Sequence, residues 1–168
     1  MNRRDFIIKS GLSSSIFSIV PSSVLGFNGV SPNNKIQIAF IGAGRQGRGL
    51  MKNFTEYNQC QIIAVSDVDS QKVDFFSKEF KNKILKDNKK KVYIKKFEFY
   101  REMIQSSSVD AVIIATPDHW HAQMSVDSAK NGKDIYCEKP LSSTIAEGRA
   151  MVTSARKYNI VELPNKTF

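Results

Sequence analysis

A chain of 168 residues, 41% apolar and 24% charged, has room for one domain of ordinary size and too little for two. With only 9 Gly and 5 Pro, its composition excludes a disordered chain outside the termini. The 25 basic against 16 acidic residues leave a net charge of +9, much of it between Lys78 and Lys96, where Lys89-Lys90-Lys91 form a run. A nucleic-acid face would also want interleaved aromatics or a recognisable reading helix, so this stretch reads as a solvated helix end and loop, with no nucleic-acid partner expected.

The chain opens with Asn2-Arg3-Arg4-Asp5-Phe6-Ile7-Ile8-Lys9 and continues through a mildly apolar, Ser-rich stretch from Gly11 to Phe27. A charged start, an apolar middle and small residues near Gly26 are the layout of a signal peptide, too short and too rich in serine to anchor stably in a bilayer. Arg-Arg-Asp-Phe-Ile-Ile-Lys resembles the bacterial twin-arginine signal. Residues 1–30 are therefore expected to be a signal and linker and residues 31–168 the domain, exported to the periplasm. That route carries proteins already folded, often around a captured cofactor.

After Ser31-Pro32-Asn33-Asn34, the run Lys35 to Ile41 reads as a buried parallel strand. It leads directly into Gly42-Ala43-Gly44-Arg45-Gln46-Gly47, a G-x-G-x-x-G placed where a strand ends and a helix begins. Gly42 permits the tight turn, Gly44 lets the backbone approach a pyrophosphate, and Gly47 allows close packing of helix on strand. The start of the helix, Arg45 and Gln46 included, offers N–H groups and a positive dipole end to phosphates.

A helix from about Arg45 to Tyr57 precedes the strand Gln61 to Ser66, which ends at Asp67, about twenty residues beyond Gly47. A carboxylate there suits ribose hydroxyls and repels a 2′-phosphate, so NAD is expected over NADP. The plain structural alternative is that Asp67 or Asp69 caps the next helix. Arg45 or the nearby lysines would be the means of accepting NADP.

The alternation continues with a helix near Ser70 to Phe80, a short strand near Val92 to Ile94, a helix at Tyr100 to Ser107 and the strand Val109 to Ala115. A helix near His119 to Asn131, the strand Asp134 to Cys137, a helix from Thr144 to Tyr158 and the strand Ile160 to Leu163 complete it. Thr144-Ile145-Ala146-Glu147 has the form of a capping box. Strands separated by helices predict an α/β fold of the Rossmann type, a doubly wound parallel sheet with helices on both faces. Cys60 and Cys137 lie in strand-like runs and read as free buried thiols.

Ligands of open α/β sheets lie against the carboxyl ends of the strands, which brings forward two segments, Ala115-Thr116-Pro117-Asp118-His119-Trp120-His121 and Glu138-Lys139-Pro140. His119 and His121 lack a third metal ligand nearby, and no metal is expected. Asp118 reads as a helix N-cap and Trp120 as packing between helix and sheet. Lys139, after a buried strand and before a proline, is placed to hold an ammonium over the sheet edge.

Taken together, Gly42, Gly44, Gly47, Asp67, Phe99-Tyr100-Arg101-Glu102-Met103, Ala115 to His121 and Glu138-Lys139-Pro140-Leu141 resemble the N-terminal half of the Gfo/Idh/MocA oxidoreductases. The resemblance implies NAD as cofactor, with Thr116, Pro117 and His121 lining its site and Glu138 and Lys139 forming a Glu-Lys-Pro motif. Its lysine contacts the nicotinamide ribose and helps organise catalysis, making Lys139 the candidate catalytic residue. It implies chemistry at a ring carbon of a sugar or cyclitol, by hydride transfer or, in some exported relatives, by NAD-dependent glycosidic cleavage. Family members continue into a second domain that supplies the substrate pocket and most of the oligomer interface. Here the segment Glu162 to Phe168 departs from their usual continuation. A truncated product, not catalytically competent alone, is therefore expected, binding a sugar-like substrate only if that second domain is supplied, with a homo-oligomer as an option; the alternative is a stand-alone NAD-binding module that needs a partner chain.

Overall fold

A computed structural model describes residues 34–86 and 93–164. The signal reading of residues 1–30 and the run Lys89-Lys90-Lys91 lie outside the described residues. In chain order the elements are β1 (Ile36–Ile41), α1 (Arg45–Phe54), β2 (Cys60–Ser66), α2 (Ser70–Lys86), β3 (Lys95–Phe97), α3 (Tyr100–Ile104) and β4 (Ala111–Ile114). A 3-10 turn, Asp118–Trp120, then leads into α4 (His121–Lys130), β5 (Asp134–Cys137), α5 (Ile145–Tyr158) and β6 (Glu162–Pro164).

The six strands form one sheet in the order β3-β2-β1-β4-β5-β6, and every pairing is parallel. The order reverses between β1 and β4, so the doubly wound Rossmann topology expected from the alternation is present, with its switch point at those two strands. β1 shows why it is central: Ile38 and Phe40 pack into one core cluster, while Ala39 and Ile41 pack into the other. A strand buried on both faces needs apolar side chains at consecutive positions, which is how this run reads in the sequence.

On one face α1 contributes Leu50 and Met51, and α2 contributes Val73, Phe76, Phe80 and Ile84, spaced three and four apart along one helical stripe. The opposite face holds Tyr100, Met103 and Ile104 of α3, Ala122 and Met124 of α4, and Met151 of α5. Thr144 caps α5 as its sequence predicts: its hydroxyl accepts the Glu147 N–H, and the Glu147 carboxylate accepts the Thr144 N–H.

Several boundaries move. The third strand is Lys95–Phe97 rather than Val92 to Ile94, because pairing with Ala64 to Ser66 selects the later residues, and α2 runs on to Lys86. α3 stops at Ile104, ahead of the predicted Ser107. Cys137 is buried, but Cys60, first residue of β2, is only half-buried.

Glu162 gives the sheet edge a pH dependence. Burial pushes its carboxyl above the ordinary 4.5, only partly offset by the Ser125 hydroxyl beside it, and its Oε1 is buried without a hydrogen-bond partner. The folded state therefore holds the Glu162 proton more tightly than the unfolded chain, so the contribution is present below pH 4.5 and is lost as pH rises through the raised value. In denaturant unfolding, Glu162→Gln should match the parent at pH 4 and exceed its stability at pH 7. An equal gap at both pH values would contradict the assignment.

Candidate dinucleotide site

The turn after β1 is fixed by hydrogen bonds from both neighbouring strands. The Gly42 N–H donates to the Ser66 carbonyl at 2.8 Å, and the Ala115 N–H donates to the Ile41 carbonyl at 2.8 Å. Gly42 has φ +101°, and a Cβ on it would press on the Ala115 carbonyl; a Cβ on Gly47 would press on the Gly42 carbonyl. Both glycines are therefore required by the fold itself, one by backbone conformation and contact, the other by helix-to-turn packing.

Gly44 differs, because a Cβ there would meet nothing within 4 Å. It stands at the start of α1, which has no side-chain cap and no acidic residue in its first turn. The N–H groups of that turn and the positive helix end are thus offered outward, with exposed Arg45 and Gln46 beside them.

Asp67 extends from the end of β2 to this turn. Its Oδ2 accepts the Ala43 N–H at 2.8 Å, and its Oδ1 accepts the Asp69 N–H at 3.0 Å. The cap of α2 is Asp69, whose Oδ1 accepts from the Gln71 and Lys72 N–H groups. Asp67 is therefore bound to the glycine turn rather than to the helix, and each of its oxygens keeps a further acceptor position for a hydroxyl.

Beside it lies a hollow of about 280 Å³, lined among others by Val68, Asp74, Lys96, Phe97 and Glu98. Val68, Phe97 and Glu98 carry no signal in the sequence but position, directly after β2 and at the end of β3. Lys96 pairs with Asp74 at 2.8 Å, a hydrogen bond that holds the Asp74 carboxyl below its ordinary range. A larger hollow, about 420 Å³, lies between α2 and Tyr93-Ile94, away from the carboxyl ends of the strands, and takes no part in this arrangement.

The turns after β4 and β5 meet through side chains. Glu138, 4% exposed, accepts from Gln46 Nε2 at 3.0 Å through Oε1 and from the Lys139 N–H at 3.3 Å through Oε2. The glycine-turn helix and the Glu-Lys-Pro segment are thus joined by one carboxylate. Lys139 and Pro140 are exposed. His121 is 1% exposed, with Nδ1 2.8 Å from the Pro140 carbonyl oxygen and Nε2 2.9 Å from that of Thr116. It stands inside the wall of the site rather than on its surface. Thr116 is half-buried and Pro117 exposed.

Other expectations for this region change. Trp120 is 45% exposed and does not fill the space between helix and sheet. Asp118 does not cap α4: its carboxylate accepts the His119 N–H, and the cap position of the 3-10 turn is Pro117. Tyr100 and Arg101 serve packing, since both reach Asp127 Oδ2 and tie α3 to α4. Burial pushes the Cys137 thiol up to about 12, which leaves it unreactive.

The family profile described as an oxidoreductase family with an NAD-binding Rossmann fold, Gfo/Idh/MocA, matches residues 36–163. The chain belongs to this family. Among Gfo/Idh/MocA relatives, a glycosyl hydrolase family 109 protein of Shewanella woodyi is 31% identical over 140 residues, covering 80% of this chain and 28% of its own length. An alpha-N-acetylgalactosaminidase of Shewanella oneidensis is 30% identical over 138 residues, covering 80% of this chain and 29% of its own. Of solved structures, scyllo-inositol dehydrogenase of Lactobacillus casei, with bound NAD(H) and scyllo-inositol, superposes with TM-score 0.67 at 23% identity, over 78% of this chain and 36% of that one. The chain thus spans about a third of the length of these Gfo/Idh/MocA relatives.

The residues fit the dinucleotide that the family implies. Open space over Gly44 and an uncapped helix start are features that the fold alone does not need at those positions, and the Asp67 carboxylate, which also holds the glycine turn, keeps acceptor positions for a hydroxyl.

Proposed function

We propose that this domain binds NAD(H) in preference to NADP(H) and is the cofactor-holding half of an exported enzyme acting at a ring carbon of a sugar or cyclitol. The observation that carries the cofactor preference is the charge around the hollow next to Asp67. Asp67 and Glu98 line it, while the lining Asp74 is paired with Lys96 and the neighbouring Asp69 with Lys72. Ribose hydroxyls can donate to Asp67 and Glu98, whereas a 2′-phosphate would face like charge from both.

In this reading Gly42, Gly44, Arg45, Gln46 and Gly47 receive the pyrophosphate, Asp67 the adenosine ribose, and Thr116, Pro117 and Lys139 the nicotinamide end. When bound, NAD supplies a hydride acceptor. Glu138 fixes the Lys139 backbone, so that the lysine ammonium is held at the sheet edge, where it can bond a ribose or substrate hydroxyl. Lys139→Met should weaken NADH binding several-fold and leave binding of ADP, which lacks the nicotinamide ribose, unchanged. Equal loss for both ligands would remove Lys139 from this role.

The substrate pocket and the base that completes the reaction belong to a second domain, consistent with the share of its relatives' length that the chain spans. A second reading, NAD-dependent glycosidic cleavage, is favoured by the names of the Shewanella relatives. Release of nitrophenol from a nitrophenyl glycoside by the two-domain protein, without net formation of NADH, would distinguish it from a dehydrogenase. Export rests on Arg3 and Arg4. Changing both to lysine should retain the protein in the cytoplasm, and unchanged secretion would refute a twin-arginine route.

A further inference from the structure

Both ring nitrogens of His121 face backbone carbonyl oxygens, Pro140 at 2.8 Å and Thr116 at 2.9 Å. A carbonyl oxygen only accepts, and a neutral imidazole has one N–H to donate. In the neutral ring, one of these contacts would set lone pair against lone pair. With the residue 1% exposed, water is not at hand to relieve it. The doubly protonated ring satisfies both carbonyls.

The two carbonyls belong to different segments. Thr116 follows β4, beside Gly42 at the switch point, and Pro140 directly follows Lys139. We propose that His121 is a positioning residue that acts as an imidazolium, clasping the turn after β4 to the turn after β5 and thereby setting where Lys139 stands relative to the dinucleotide. The proposal rests on reading the site as an NAD site. Loss of one ring proton opens one of the two contacts, the segment carrying Lys139 is released, and affinity for the nicotinamide end falls as pH rises.

The surroundings bear on that charge. α4 packs against β4, β5 and α5. β4 brings no titratable side chain to its carboxyl end, and β5 leads to Cys137, Glu138 and Lys139. The first two turns of α5 carry Glu147 and Arg149, while Asp118 and His119 precede the ring on its own segment. His121 opens α4, where the helix dipole opposes a cation. Asp118 is the carboxylate closest to the ring along the chain, and the buried Glu138 carboxylate stands two residues before Pro140 on the other clasped segment.

The chain has two histidines, so the full-length His119→Gln protein carries one, and the ring ¹⁵N signals then belong to His121. These signals and the affinities for NADH and ADP are to be measured from about pH 5 to 8, the range in which histidine ordinarily changes charge. The expected result is a ring protonated on both nitrogens at the acid end. As it loses a proton, NADH affinity should fall about fivefold, the worth of one hydrogen bond. ADP affinity should stay level, and the parent protein should show the same NADH profile. A ring singly protonated throughout the range, or NADH affinity that stays flat while the ring titrates, would overturn the proposal. A doubly protonated ring in a protein that binds no NADH would uphold the clasp and overturn the reading of the site instead. His121→Gln, where it folds, should bind NADH weakly at every pH; retention of the parent profile in that variant would also overturn the proposal.

Discussion

Gly44→Val should keep the fold of the domain and reduce NADH affinity by roughly a hundredfold or more, equivalent to about 2.7 kcal/mol. The two halves of that expectation come from one observation. A Cβ on Gly44 meets nothing within 4 Å, so the protein alone gives no reason for glycine there. The space that a valine would fill is the space over the uncapped start of α1, where a pyrophosphate has to approach the backbone. Gly42 and Gly47 are the controls, because added side chains there collide with the Ala115 and Gly42 carbonyls. Their valine variants should lose the fold together with binding. Circular dichroism and NADH fluorescence titration on the three variants separate the cases. Full affinity in Gly44→Val would show that the turn does not face the ligand.

Asp67→Asn should reverse or erase the preference for NADH over NADPH, shifting the ratio of their affinities by about a hundredfold, the scale set by a like-charge contact of several kcal/mol. The ratio is the useful quantity, because the amide also disturbs the glycine turn. Asp67 accepts the Ala43 and Asp69 N–H groups, and an asparagine can accept only with its one oxygen. That damage weakens both cofactors equally and cancels. The carboxylate's repulsion of a 2′-phosphate acts on NADPH alone and does not cancel. An unchanged ratio would assign discrimination to Asp74 or Glu98, or away from this edge of the sheet altogether.

Much of the fold could be read from the sequence because its central strands, β1, β2 and β4, place side chains in the cores on both faces. Consecutive apolar residues such as Ile38 to Ile41 have few other uses in a chain of this length, and the glycine turn marks where the first strand ends. β3 was harder. Lys95 and Lys96 are exposed, and only pairing with β2 makes them a strand, so a local reading chose the more apolar Tyr93 and Ile94 instead. The exposure of Trp120 is not legible in the sequence for a related reason. A tryptophan beside a helix start is ordinarily packed, and its exposure depends on where the 3-10 turn aims it, which composition does not encode.

The site divides along the same line. Residues whose role depends on backbone or local sequence, Gly42, Gly44, Gly47 and Asp67, stand where their spacing put them. Residues whose role depends on long-range partners changed character. Gln46 and Glu138 lie far apart in the chain and hydrogen bond to each other, and His121 is a buried link between two turns instead of part of the surface. Glu98 and Phe97 entered the site only through the pairing of β3 with β2.

The proposed function stands on the turn from Gly42 to Gly47 and Asp67 together holding NAD(H). Its most direct test is titration of the full chain with NADH and with NADPH, followed by nicotinamide fluorescence and by calorimetry. The expected result is one site that saturates with both probes and binds NADH more tightly than NADPH. Tighter binding of NADPH would contradict the assignment of Asp67, and no saturable binding of either cofactor would contradict the site as a whole.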